Sequence, residues 1–254
     1  MEFSDILICI KNILKKNLYI HRPVRALKLF FGKLYTCLRL YNDADIAFFL
    51  YNHYQNLGYK RSLLEKRPVD IAGEALPWYT YPAIEYILQI DFSQKRIFEY
   101  GAGYSTVFWE KRAAEVISVE NNQDWVEKVK RMVSSHIIHA AEQESYVRSI
   151  TLYGSFDVVV IDGRFRNSCA PYAIKALRDG GMIIVDNSEW CPVITQTLRD
   201  EGFTQSDFHG LVPSLMHCST TSFFFKGSFS FTGTESRFPI WPLDGLHDTY
   251  GINE

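Results

Sequence analysis

Residues 96–121 read "RIFEYGAGYSTVFWEKRAAEVISVEN", and this stretch decides the fold. "RIFEY" and "EVISVE" are short, rich in β-formers and bounded by turn residues, as strands are. "STVFWEKRA" between them has the length and spacing of a helix. The turn before that helix holds Gly101 and Gly103, which permit a tight bend and let a ligand approach bare backbone. Glu99 lies near the end of the first strand and Glu120 ends the second.

The pattern continues downstream. "IIHAA" (137–141), "FDVVVID" (156–162) and "GMIIVDN" (181–187) read as further strands. "QDWVEKVKRMVSS" (123–135), "APYAIKALRDG" (170–180) and "CPVITQTLRDEGF" (191–203) read as helices. Continuous Val/Ile runs alternating with amphipathic helices predict a parallel sheet covered on both faces. "TQSDFHGLV" (204–212) and "TTSFFFKGS" (220–228) have no helix between them, so they are expected to pair antiparallel.

Upstream, apolar residues recur at helical spacing in 6–18, in 27–41 and through "DADIAFFLYNHYQNLG" (43–58). Residues 1–40 hold eight Lys or Arg against Glu2 and Asp5, so a leader of +6 precedes a body of −8. An acidic body argues against nucleic acid as a partner. The basic leader suits either a helical cap on the main domain or peripheral contact with an anionic membrane. No apolar run reaches the roughly 18 residues of a spanning helix, and "ILICI" lacks the flanks of a signal peptide. The five cysteines are widely spaced with no C-x-x-C pair, which points to reduced thiols in a cytoplasmic protein. The expected organisation is a helical extension over 1–70, a ligand-binding domain over 71–235 and an irregular tail over 236–254.

In an open parallel sheet, ligands sit beyond the carboxyl ends of the strands. The first such end here runs from Glu99 to Thr106. The third glycine of a dinucleotide fingerprint is absent, and Thr106 stands in its place. Glu99 would repel a pyrophosphate but welcome a cation. S-adenosylmethionine, with a sulfonium, an ammonium and no phosphate, fits better. Its carboxylate can take donors from the helix start, including Ser105 and Thr106. An acid at Glu120 can accept both ribose hydroxyls, with Asn121 beside the adenosine edge.

Together these residues resemble a class I S-adenosylmethionine-dependent methyltransferase. Glu99-x-Gly101-x-Gly103, including Ala102, is similar to that family's first motif and Glu120 to its second. "FDVVVIDG" and "LRDGGMIIVDN" are similar to its fourth- and fifth-strand motifs. The resemblance covers about residues 75–230. It implies a Rossmann-like seven-stranded sheet, order 3-2-1-4-5-7-6 with strand seven antiparallel. "PWYTYPAIEYI", "SVENNQDW" and "STTSFFFKG" resemble a bacterial branch of the family often found beside glycan or secondary-metabolite genes. The expected acceptor is accordingly a small molecule or glycan, methylated on oxygen.

Further site residues follow from this frame. Ala140, Ala141 and Glu142 are expected beside adenine. Asp162 and Asp186 are the candidate catalytic acids. Asp162, Asp186 and Asn187 resemble the metal ligands of catechol-type O-methyltransferases and would suit Mg²⁺. Here, however, Gly163-Arg164 follows the aspartate, so a metal-free site with Asp162 as ligand anchor or base stays open. Arg164 and Arg166 are candidates to clamp an anionic acceptor, and His209 is a candidate base. Trp78, Tyr79 and Tyr81 are candidates to roof the pocket. The competing functions are an NAD-dependent oxidoreductase and a non-catalytic nucleotide-binding module.

Overall fold

The computed structural model describes residues 43–228, 231–235 and 243–244. The expectations for residues 1–40, membrane contact included, lie outside the described residues, as does most of the tail. The described residues divide at His53 into two units. Their boundary falls inside the first described helix, α1 (Asp43–Asn56). Among the described residues, no helix is long and apolar enough to cross a membrane.

The larger unit opens with α2 (Tyr59–Glu65) and α3 (Tyr81–Leu88), the latter carrying Pro82 in its first turn. The lone proline fits there because the first-turn amides have no helical acceptor. Then β1 (Arg96–Tyr100), α4 (Tyr104–Glu110), β2 (Glu115–Glu120), α5 (Gln123–Lys130) and β3 (His136–His139) follow in alternation. After α6 (Gln143–Arg148) come β4 (Phe156–Ile161), α7 (Arg166–Ala176) and β5 (Leu177–Asp186). The last elements are α8 (Pro192–Asp200), β6 (Thr204–Leu211) and β7 (Cys218–Phe225).

The strands form one seven-stranded sheet in the order β3-β2-β1-β4-β5-β7-β6. The β1–β2, β1–β4, β2–β3 and β4–β5 pairs are parallel. β7 is antiparallel to both β5 and β6. Neighbouring residues of a strand point to opposite faces, and each face has its own apolar layer. Phe98, Val159, Ile161, Ile183 and Val185 pack with Ala170 and Ala173 of α7 and Ile194 and Leu198 of α8. Ile97, Val158, Val160, Met182 and Ile184 pack with Ile84 and Ile87 of α3 and with Phe108 and Trp109 of α4. Each buried Val, Leu, Ile, Phe or Met among these contributes about 1.5–3 kcal/mol of transfer free energy.

Several boundaries differ from the sequence expectation: α5 ends at Lys130 rather than 135, and α7 begins at Arg166 rather than 170. The helix read through Gly180 stops at Ala176, and Leu177–Gly180 extends β5 backwards. Leu177 pairs with Phe156, and the register then shifts before Val158 meets Met182. Gly180, at φ +75, absorbs that irregularity in a conformation that favours glycine.

Candidate functional site

A cavity of about 340 Å³ opens beyond the carboxyl ends of β1, β2, β4 and β5. Its floor is Gly101, Ala102 and Gly103 after β1. Glu120 ends β2 on one side, and Asp162, Gly163, Asp186 and Asn187 follow β4 and β5 on the other. Trp78, Tyr104, Trp125 and Trp190 stand around it, with Val212, Leu215 and His217 from the β6–β7 loop.

The floor is shaped by two glycines with different reasons. Gly101 lies at φ +104, and a Cβ there would come within 2.8 Å of Gly163. Gly163 in turn would bring a Cβ within 2.9 Å of Gly101. The loops after β1 and β4 therefore touch backbone to backbone. At Gly103 a Cβ would meet only the Trp125 ring, at 3.9 Å. The chain does not need glycine at 103; the open space above it does.

The acids differ in setting. Glu120 Oε1 accepts from the backbone N–H groups of Asn121 and Asn122, both at 2.9 Å. Those bonds fix the carboxylate on the cavity wall. Glu99 lies beneath the floor, fully buried, with Oε2 accepting from Ser118 Oγ at 2.8 Å. Its Oε1 has no partner. Burial pushes its proton affinity up to about 7, opposed by the nearby hydroxyls of Thr106, Ser118 and Ser105. Burial raises Asp162 to about 6, the Arg166 guanidinium opposing and the Glu120 charge assisting. Asp186 is raised well above the usual carboxylate range, first by burial and then by the charge of Asp162.

The expected residues fall into two groups. Gly101, Ala102, Gly103, Ser105, Glu120, Asp162, Asp186 and Asn187 meet around the cavity. Thr106 turns inward instead: its Oγ1 accepts from Gly103 N–H at 3.0 Å and lies 3.4 Å from Ser118 Oγ. Asn121 is not on the wall, and its carbonyl is 3.2 Å from His139 Nε2. Ala141 is exposed to solvent outside the cavity. Arg164 is exposed as well. His209 is exposed on β6, its Nδ1 2.7 Å from Thr220 Oγ1, and it does not reach the cavity. His217 does. Tyr79 and Tyr81 are core residues, whereas Trp78 lines the cavity and donates from Nε1 to Ser214 Oγ at 2.9 Å.

Arg166 is not a free clamp for an anionic acceptor. A guanidinium has five N–H donors, and these are spent within the chain. Nε donates to Gly163 O at 3.0 Å. Nη2 donates to Asp162 O at 2.9 Å and to Asp162 Oδ1 at 3.0 Å. Nη1 donates to Asp186 O and, at 3.2 Å, to Asn187 Oδ1. Asp186 Oδ1 accepts from Thr221 Oγ1 at 2.6 Å. The expected Mg²⁺ set is thus already engaged, and the three residues do not fit a metal. No cluster of His, Cys, Asp and Glu able to hold a metal occurs among the described residues.

Seven strands in the order 3-2-1-4-5-7-6, the seventh antiparallel, with a glycine-floored cavity at the carboxyl ends, leave one fold. It is the class I methyltransferase fold. Solved structures with this fold are similar at low identity. A methyltransferase from Pyrococcus furiosus is 17% identical, with a TM-score of 0.45 over 70% of this chain and 98% of that one. A putative methyltransferase from Streptococcus mutans, in complex with SAH, is 10% identical, with a TM-score of 0.44 over 59% and 100%. An rRNA methylase from Streptococcus thermophilus is 9% identical, with a TM-score of 0.43 over 58% and 97%. No family model matches the sequence, and no curated protein matches it. The rRNA methylase corrects one expectation: a methyltransferase fold is compatible with a nucleic-acid acceptor, so the charge balance of the body does not exclude one.

Proposed function

We propose that the chain transfers a methyl group from S-adenosylmethionine to a hydroxyl of a small-molecule or glycan acceptor. One observation carries the reading: among the described residues, the cavity lining includes the carboxyl groups of Glu120, Asp162 and Asp186 and no lysine or arginine. Such walls suit a ligand bearing a sulfonium and an ammonium and oppose a pyrophosphate. The partnerless Oε1 of buried Glu99 and the open space over Gly103 fit the same ligand. Glu120 would take the ribose hydroxyls, Gly101–Gly103 would lie under the ligand's chain, and Asp162 would face its ammonium. When bound, S-adenosylmethionine supplies an electrophilic methyl carbon.

The residues of the chain have two tasks in such a displacement. The first is alignment, and the Trp78, Tyr104 and Trp190 side chains border the space where an acceptor would lie. The second is removal of one proton from the acceptor hydroxyl. Asp186 and His217 both line the cavity and are the side chains placed to take it. Titration calorimetry with S-adenosylmethionine, S-adenosylhomocysteine and NAD⁺ tests the ligand. The two adenosyl ligands are expected to bind and NAD⁺ to give no heat. Binding of NAD⁺ alone would overturn the reading in favour of an oxidoreductase.

A further inference from the structure

Asp162, Asp186 and Asn187 bring three strand-end oxygen groups together where a hard divalent cation would find ligands. The structure puts a side chain of the protein there instead. We propose that Arg166 is a built-in substitute for that cation, which ties the ends of β4 and β5 together and closes the position to metal.

The geometry supports each part. The guanidinium bridges both strand ends, bonding the backbone and carboxylate of Asp162 on one side and Asp186 O and Asn187 Oδ1 on the other. Its Nε bond to Gly163 O anchors the same arginine to the tight Gly101–Gly163 contact. The loop is bent to deliver it: Phe165 sits at φ 55, a costly left-handed conformation for a bulky residue, immediately before Arg166. Asn187 sits at φ 46 on the opposite side. A planar fork can reach two strand ends at once, which a lysine ammonium cannot. The consequence is a site whose fixed positive charge needs no supply from solution. Arg166 is a positioning residue: it sets Asp162 and Asn187 on the cavity wall and itself presents no free donor. The proposal concerns the protein alone and stands or falls separately from the identity of the methyl donor.

The test is Mn²⁺ binding to the full chain, followed by electron paramagnetic resonance without any other ligand. The wild type is expected to leave the Mn²⁺ signal that of the free ion. Arg166→Ala frees the three oxygens and is expected to bind Mn²⁺ at least about tenfold more tightly than the wild type. Adding Asp162→Asn, which removes the carboxylate that Arg166 engages, should abolish the gain. Guanidinium chloride, far below denaturing concentration, should displace Mn²⁺ from Arg166→Ala, whereas equal urea should not. A merely structural arginine would move none of these readouts. Should Arg166→Ala not fold, Arg166→Met, which keeps the stem's volume, is measured the same way. Mn²⁺ binding by the wild type that Asp162→Asn removes would overturn the proposal. So would a folded Arg166 variant with no gain in Mn²⁺ binding.

Discussion

Glu99 is the clearest case of a charged group whose burial costs the folded protein stability. It is a fully buried carboxylate with one oxygen unpartnered and a proton affinity raised to about 7. Its pKa in the folded chain lies above the unfolded value, so the unfolded chain releases the proton first as pH rises. Stability therefore falls from the ordinary glutamate range up to about pH 7 and stays at the lower level above it. We expect Glu99→Gln to raise the melting temperature of the ligand-free protein at pH 8, by the equivalent of about 1–3 kcal/mol. At pH 4 the two proteins should melt alike. The same variant should bind S-adenosylmethionine more weakly in calorimetry. A lower melting temperature at pH 8 would mean that the ionised group has partners within the fold that offset its burial.

Among the elements, the strand-end turns carry the site, and the glycines there make separable predictions. Gly163→Ala drives a methyl group onto the Gly101 backbone and into the Tyr146 hydroxyl, forcing the turns after β1 and β4 apart. We expect a loss of about 1–3 kcal/mol in denaturant unfolding, the usual cost of overpacking. Gly103→Ala meets nothing closer than 3.9 Å and should unfold as the wild type does, yet lose affinity for S-adenosylmethionine. Equal destabilisation by both would contradict the two different reasons for glycine. What was legible in the sequence follows the same division. Glu99, Glu120, Asp162 and Asp186 could be read because strands end where their apolar runs stop, and a strand end fixes where an acid lies. His217, Trp125 and Trp190 escaped notice because no periodicity marks a loop or the outer face of a helix. The end of α7 was misjudged because "KALRDGG" keeps helical apolar spacing while its pairing with Phe156 is a tertiary fact. The engagement of Arg166 was hidden for the same reason, since its acceptors Asp186 and Asn187 lie twenty and more residues away.

At the scale of the whole molecule, the apolar layers on the two faces of the sheet hold it together, and the charged groups gather at one edge of the strands. Alternation of strands and helices predicted the parallel part of the sheet, the missing helix before β7 its antiparallel pairing with β6, and the family resemblance the strand order. The position of β7 has a consequence in the order of synthesis. β6 has no partner in the sheet but β7, and β7 is inserted between it and β5. While a ribosome has delivered β6 but not β7, the β5 edge, buried from Gly180 through Asp186 in the finished protein, has nothing to pair with. An open, apolar edge of this kind templates pairing between chains. A chain stopped after His217 should therefore accumulate as aggregates rather than as a trimmed monomer, and light scattering of the purified fragment would reveal it. A monodisperse fragment of that length would mean that β6 can take the vacant place beside β5. The carboxylate of Asp186 and the loop bearing His217 are fixed by β7 through the Thr221 bond and the β6–β7 hairpin, so binding competence would arrive last in the life of the nascent chain.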